Sequence, residues 1–135
     1  MTKTLELLGE EPKLAQRAAS VALSIETKLA RASLTRVEER DPYKLKNRFA
    51  REKMVAFTPR FDWTAYWQAS GAPAFKDLNV TQPRFFAAMN EALAKDGLAK
   101  WKAYFRWQLV NAYAPYLSSA FEGRRSIFTP FICGE

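Results

Sequence analysis

Apolar side chains return every three or four positions along residues 12–33, at Leu14, Ala18, Val21, Ile25, Leu29 and Ala32, which places them on one face of a helix. Glu10 and Glu11 stand before Pro12 at the start of this run, and Lys28 and Arg31 fall in its last turn, so the charges complement the helix dipole. In RVEERDPYKLKN, residues 36–47, proline after Asp41 disfavours helical backbone there and predicts a structured connection. A short helix is then predicted from about Asn47 to just before Pro59. FDWTAYWQASG, residues 61–71, predicts a compact helix capped by Asp62 and stopped by Gly71, with Trp63, Tyr66 and Trp67 close together on one side.

Residues 76–97, KDLNVTQPRFFAAMNEALAKDG, predict a brief extended piece at Asn79 and Val80. A helix follows with Thr81 as N-cap, Pro83 in the first turn and a stripe of Phe85, Met89, Ala92 and Leu93, ending at Asp96-Gly97. The last helix is predicted from about Leu98 to Ala120, kinked at Pro115 because proline cannot donate to the carbonyl of Asn111. Leu98, Trp101, Phe105, Leu109, Ala112 and Tyr116 share one of its faces, while Trp107, Val110, Ala114 and Leu117 share the other. A helix that is apolar on both sides is normally packed from both sides, and stacking platforms for nucleic-acid bases are more often built on sheets. Lys102 and Arg106 stand between the two faces, where their stems can cover rings while the charges stay in water. Packing is therefore favoured over base stacking.

Composition agrees. The chain has 135 residues, one domain's worth, of which 48% are hydrophobic and 14% aromatic, with only 5 glycines to make the turns that many strands need. These values predict an all-α fold of about four to five packed helices, the longest starting near Leu98. No run of eighteen or more apolar residues is present, and TKTLELLGEEP after Met1 has no signal-peptide pattern, so neither a membrane span nor an address is expected within the chain.

Charge opens a second reading. The net charge is +7, and between residues 40 and 60 Arg40, Lys44, Lys46, Arg48, Arg51, Lys53 and Arg60 face only Asp41 and Glu52. Such a block is commonly a solvated face; beside aromatic residues it also fits a stand-alone basic helical module that binds nucleic acid or an acidic protein partner.

The inventory of reactive groups is short. The chain has no histidine, which removes Ser/His/Asp and Cys/His catalysis and the usual zinc sites. Cys133 is the single cysteine, with no base beside it and no partner for an internal disulfide. Glu38, Glu39 and Asp41 cluster, but they are expected to pair with Arg36 and Arg40 rather than to hold a metal. No catalytic, cofactor-binding or metal-ligating residue is predicted in this chain.

Five segments in order, VALSIETKLARASL, ERDPYKLKN, TPRFDWTAYWQASGAP, LNVTQPRFFAAMNEAL and WKAYFRWQLVNAYAPYLSSAF, resemble the N-terminal helical region of the neprilysin and endothelin-converting-enzyme family of zinc metalloendopeptidases. The resemblance runs from about Leu5 to Phe121. It implies part of a helical lobe that covers a central cavity and restricts substrate size. It also implies zinc bound elsewhere in the parent by an HExxH helix and a downstream glutamate, none of which has a counterpart here. The implied partners are the rest of the parent peptidase and its peptide substrates, and the implied setting of the parent is periplasmic, secreted or membrane-anchored.

By the same resemblance Arg40, Asp41, Pro42 and Asn47 form a junction after the first long helix, and Pro59, Phe61 and Trp63 open the next packed helix. Pro83, Phe85, Trp101, Tyr104, Trp107, Pro115, Leu117 and Phe121 are helix-start and core positions. Residues 1–121 are thus expected to form the family-like helical segment. EGRRSIFTPFICGE, residues 122–135, departs from the family pattern and is expected to be an atypical tail, as from a truncated or frame-shifted reading frame. A lobe cut from its neighbours is expected to self-associate.

Overall fold

A computed structural model of the chain describes residues 1–116. Among them are seven α-helices: α1 (Thr2–Leu7), α2 (Pro12–Ala32), α3 (Pro42–Leu45), α4 (Arg51–Phe57), α5 (Trp63–Ala69), α6 (Pro83–Lys95) and α7 (Leu98–Tyr113). Single 3-10 turns lie at Glu38–Arg40 and Ala114–Tyr116, and β1 (Arg48–Ala50) and β2 (Asp77–Asn79) form a small two-stranded sheet. The chain is mostly helical, as its periodicity and scarcity of glycine predict. The longest described helix is α2, with 21 residues against 16 for α7, not the one starting near Leu98. The predicted continuation to Ala120, with Leu117, Phe121, Cys133 and the tail 122–135, lies outside the described residues.

Two compact units divide the chain, Met1–Ser24 with Leu98 onward, and Ile25–Gly97, so the continuous helix α2 contributes to both. In the first unit α1 and the start of α2 bury Leu5, Ala15 and Ala19, with Met1 and Ala18 packed against them. The buried face of α2 is Ala15, Ala19, Ala22 and Ile25, whereas Leu14 is exposed. The predicted stripe was therefore out of phase by one residue in its first half. Alanine marks the true face because small side chains allow close packing there, a signal that a search for large apolar residues passes over.

The second unit is built around Met54, Trp63, Trp67 and Val80, with Phe49, Phe57, Phe61, Phe75, Leu78, Phe86 and Met89 packed against them. Asp62 caps α5 by accepting the Ala65 N–H at 2.9 Å, and Gly71 ends the turn after it with φ of +65°, a left-handed conformation that glycine adopts without strain. The indole N–H of Trp63 donates to the Thr58 hydroxyl at 2.7 Å, so this large side chain enters the core with its polar atom satisfied. β1 and β2 pair antiparallel, with Phe49 opposite Leu78, both turned toward the core. Because Arg48–Ala50 is a strand, the helix predicted from Asn47 begins only at Arg51. The side chain of Asn79 extends the pairing: its Oδ1 accepts the Asn47 N–H at 2.8 Å and its Nδ2 donates to the Leu45 carbonyl at 2.9 Å.

The connection at 35–47 is held by local caps. Thr35 and Glu38 form a reciprocal capping box, in which Glu38 Oε2 accepts from the Thr35 N–H at 2.9 Å and from its hydroxyl at 3.0 Å, while the Glu38 N–H donates to Thr35 Oγ1 at 3.3 Å. Asp41 accepts the Tyr43 N–H at 3.0 Å and Pro42 opens α3. Helix α6 begins at Pro83 with Gln82 as its N-cap, one residue later than the predicted Thr81. Gln82 Oε1 instead accepts the Leu34 N–H at 3.0 Å, tying the start of α6 to the end of α2.

Candidate functional site

Three groups of residues are candidates: the acidic cluster after α2, the basic block between residues 40 and 60, and the faces of α7. The acidic cluster resolves into caps. Glu38 is held by Thr35 and pairs with Lys44 at 3.3 Å, not with Arg36 or Arg40 as expected, and Asp41 caps α3. The Thr35 N–H, then the Thr35 hydroxyl and Lys44, hold the Glu38 carboxyl down at about 2. A carboxylate occupied in this way is a structural acceptor. Zinc needs nitrogen or thiolate donors, or several convergent carboxylates. This chain offers no histidine, and its described residues contain no group of three acidic, cysteine or histidine side chains close enough for a metal, so the donor set does not fit zinc.

The basic block is largely engaged within the chain. Lys44 pairs with Glu38, and Arg48 pairs with Asp77 across the sheet at 2.6 Å. The Arg51 guanidinium lies 4.8 Å from the Trp67 ring centre and 5.6 Å from that of Phe75, and Lys53 Nζ lies 4.2 Å from that of Phe49. The cations cover the aromatic core of the second unit rather than forming a fully solvated face, as long stems carrying a charge can do. Nothing supports the nucleic-acid alternative.

Lys28 Nζ reaches Asp96 Oδ2 at 2.7 Å, linking α2 to the residue that ends α6. Sequence spacing gave no hint of this pair, since the partners are sixty-eight residues apart. Beside it a depression of about 330 Å³ is lined by Lys28, Ala88, Glu91, Ala92 and Lys95. Glu91 and Lys95 pair with each other, which lowers the one pKa and raises the other, so the charges at its rim are already used.

Helix α7 is different. Trp101, Trp107, Val110 and Ala114 are buried, whereas Leu98 is 71% exposed, Phe105 60%, Leu109 59% and Tyr113 57%, and Tyr116 in the following turn is 84% exposed. Within this chain only one of the two apolar faces is covered. Trp101 belongs with the buried residues, stacking on Phe105 with ring centres 5.6 Å apart and meeting Tyr104 edge-on at 5.6 Å. Its indole N–H finds no acceptor. Lys102 and Arg106 stand one turn apart along one edge of the exposed stripe, and Arg106 reaches Glu10 at 2.5 Å. Several large apolar groups thus stand exposed in one row along α7 and the turn after it.

The junction and helix-start residues named from the resemblance fall where it implies. Asp41 and Pro42 form the turn into α3, and the Asn47 side chain donates to the Lys44 carbonyl at 2.7 Å. Pro59 follows α4, Phe61 packs on the core and Trp63 is buried in it; Pro83 opens α6, and Trp101 and Trp107 are buried.

The family model for the N-terminal part of peptidase family M13 matches residues 1–134. The chain belongs to peptidase family M13. An endothelin-converting enzyme homologue of Locusta migratoria is 26% identical over a 132-residue alignment that covers 90% of this chain and 18% of that protein. Neprilysin-21 of Caenorhabditis elegans is 25% identical over a 126-residue alignment that covers 87% of this chain and 16% of that protein. The fold agrees with the zinc metalloprotease Zmp1 of Mycobacterium tuberculosis, solved in an open state, at a TM-score of 0.83 and 28% identity, over 90% of this chain and 19% of that one. The inhibitor complex of the same protein gives a TM-score of 0.82. The chain is thus an M13 N-terminal region and spans less than a fifth of the relatives it matches. No described helix is long and apolar enough to cross a membrane.

Proposed function

We propose that this region forms part of the lobe that encloses the cavity of a neprilysin-like zinc metalloendopeptidase, where it restricts which peptides reach a zinc site made by residues outside this chain. The observation that carries this reading is the family match over residues 1–134 in a chain with no histidine. The family assignment supplies the peptidase context, and the residue inventory assigns the chemistry to other parts of the polypeptide. Zinc and peptide substrates belong to the whole protein, and the direct partner of this region is the rest of that polypeptide. On its own the chain hydrolyses nothing, and its uncovered α7 stripe makes it self-associate.

Grafting tests the access role. This chain replaces the matched stretch of Zmp1, and cleavage of short and long peptides is compared with that by the unaltered enzyme. The expected result is a folded chimera that cleaves short peptides and still discriminates against long ones. A folded, active chimera that cleaves both equally would contradict the role in access.

A further inference from the structure

We propose that this region selects substrates by charge as well as by size: its uncompensated cations draw acidic peptides toward the cavity and hold back basic ones. Charge selection rests on the reading of the region as part of the enclosing lobe, and it adds a substrate class to that role.

Residues 1–116 hold 19 cationic and 12 acidic side chains, because the rest of the chain contributes only Arg124, Arg125, Glu122 and Glu135 to totals of 21 and 14. The whole excess of +7 therefore lies in the described residues. Many of the carboxylates are already engaged. Glu10, Glu38, Asp77, Glu91 and Asp96 each hold a lysine or arginine, and the caps Asp41 and Asp62 accept from backbone N–H groups. Lys13, Lys46, Arg60 and Lys102 are exposed, and their side chains have no ion pair, hydrogen bond or ring contact among the described residues. Arg51 and Lys53 lie against aromatic rings, which attract a cation without neutralising it.

The excess is spread along the chain. Helix α2 carries Lys13, Arg17, Lys28 and Arg31 against Glu26 alone, residues 40–60 carry seven cations against Asp41 and Glu52, and α7 carries Lys100, Lys102 and Arg106 with no carboxylate. Whichever of these elements borders the path of a substrate therefore presents positive charge to it. Walls of low dielectric constant focus the field of such charges into the water between them, so an enclosing lobe acts on a passing peptide more strongly than an open surface does. Screening confines the effect to about 8 Å at physiological salt, which is the range of a peptide inside a cavity rather than of one in bulk solvent.

The test uses the Zmp1 chimera and short peptides of one length, with a shared cleavable centre and flanks of either glutamate or lysine. Lys13→Glu, Lys46→Glu, Arg60→Glu and Lys102→Glu together take the region from +7 to −1, since each reversal removes two positive charges. At low salt the ratio of kcat/KM for the glutamate peptide to that for the lysine peptide is expected to be about tenfold or more higher in the unreversed chimera, the lower end of focusing by a charged cleft. The difference is expected in KM rather than kcat, because the cations act on approach and touch no reacting atom. The two chimeras are expected to converge as salt rises to about 1 M, where screening acts within about 3 Å. A second measurement does not depend on the chimera: the purified chain is expected to bind a labelled glutamate peptide more tightly than the lysine peptide, by a margin that shrinks with salt and is lost in the reversed chain.

Equal ratios in the two chimeras at low salt would overturn the proposal, as would a difference that survives high salt, which marks a direct contact rather than a field. If the chimera does not fold, equal binding of both peptides by the purified chain overturns it. Because peptide length is held constant, the two roles separate. Lost length discrimination with the charge preference intact would remove the size role and leave charge selection standing, and the converse would remove charge selection alone.

Discussion

Thr58 is fully buried, and its hydroxyl both accepts the Trp63 indole N–H at 2.7 Å and donates to the Met54 carbonyl at 3.3 Å. Thr58→Val keeps the shape but leaves the indole donor unpaired in the core, so it is expected to cost about 1–3 kcal/mol in urea unfolding. Trp101 provides the contrast, because its buried N–H already lacks an acceptor. Trp101→Phe is therefore expected to destabilise less than Trp63→Phe in the same assay, since only the second removes a made hydrogen bond. At this scale the sequence was partly legible. Asp62 was readable as a cap because the cap bond closes within three residues. Gln82 was not, because its side chain is committed to the Leu34 N–H, forty-eight residues away, and the N-cap falls one residue beyond Thr81.

Local caps dominate the elements between α2 and α6. Replacing Asp62 with alanine leaves the Ala65 N–H without its acceptor and is expected to cost roughly 1 kcal/mol, measured by thermal unfolding. The Thr35–Glu38 box predicts an acid dependence. The folded carboxyl is depressed from 4.5 to about 2, so its contribution is fully present above about pH 4.5 and is lost as pH falls through about 2. Glu38→Gln is expected to flatten that part of the stability profile, and an NMR titration of the Glu38 carboxyl should show a midpoint near 2. Long periodic helices were legible because their repeats outvote single residues, although the alanine face of α2 shifted the phase. The strand at Arg48–Ala50 was not legible: three residues give no usable alternation, and what makes them a strand is Phe49 meeting Leu78 on a distant segment.

At the scale of the whole molecule, the sequence pointed to the family through the order of its segments, and to the absence of histidine chemistry by simple count. Helical periodicity marked both faces of α7 as apolar but not which of them this chain covers, since periodicity carries no information about neighbouring elements. Exposed Phe105 and Leu109 lead to the expectation that the chain self-associates as its concentration rises in sedimentation, and that Phe105→Ser shifts it toward monomer. A monomer at all concentrations would count against an uncovered interface. The central claim is that this M13 region shapes access and supplies no chemistry. Its most direct test is hydrolysis of a peptide mixture by the purified chain with zinc added, followed by mass spectrometry with and without chelator. The account predicts an unchanged mixture in both. Chelator-sensitive cleavage that disappears when Glu38, Glu39 and Asp41 are replaced would contradict it.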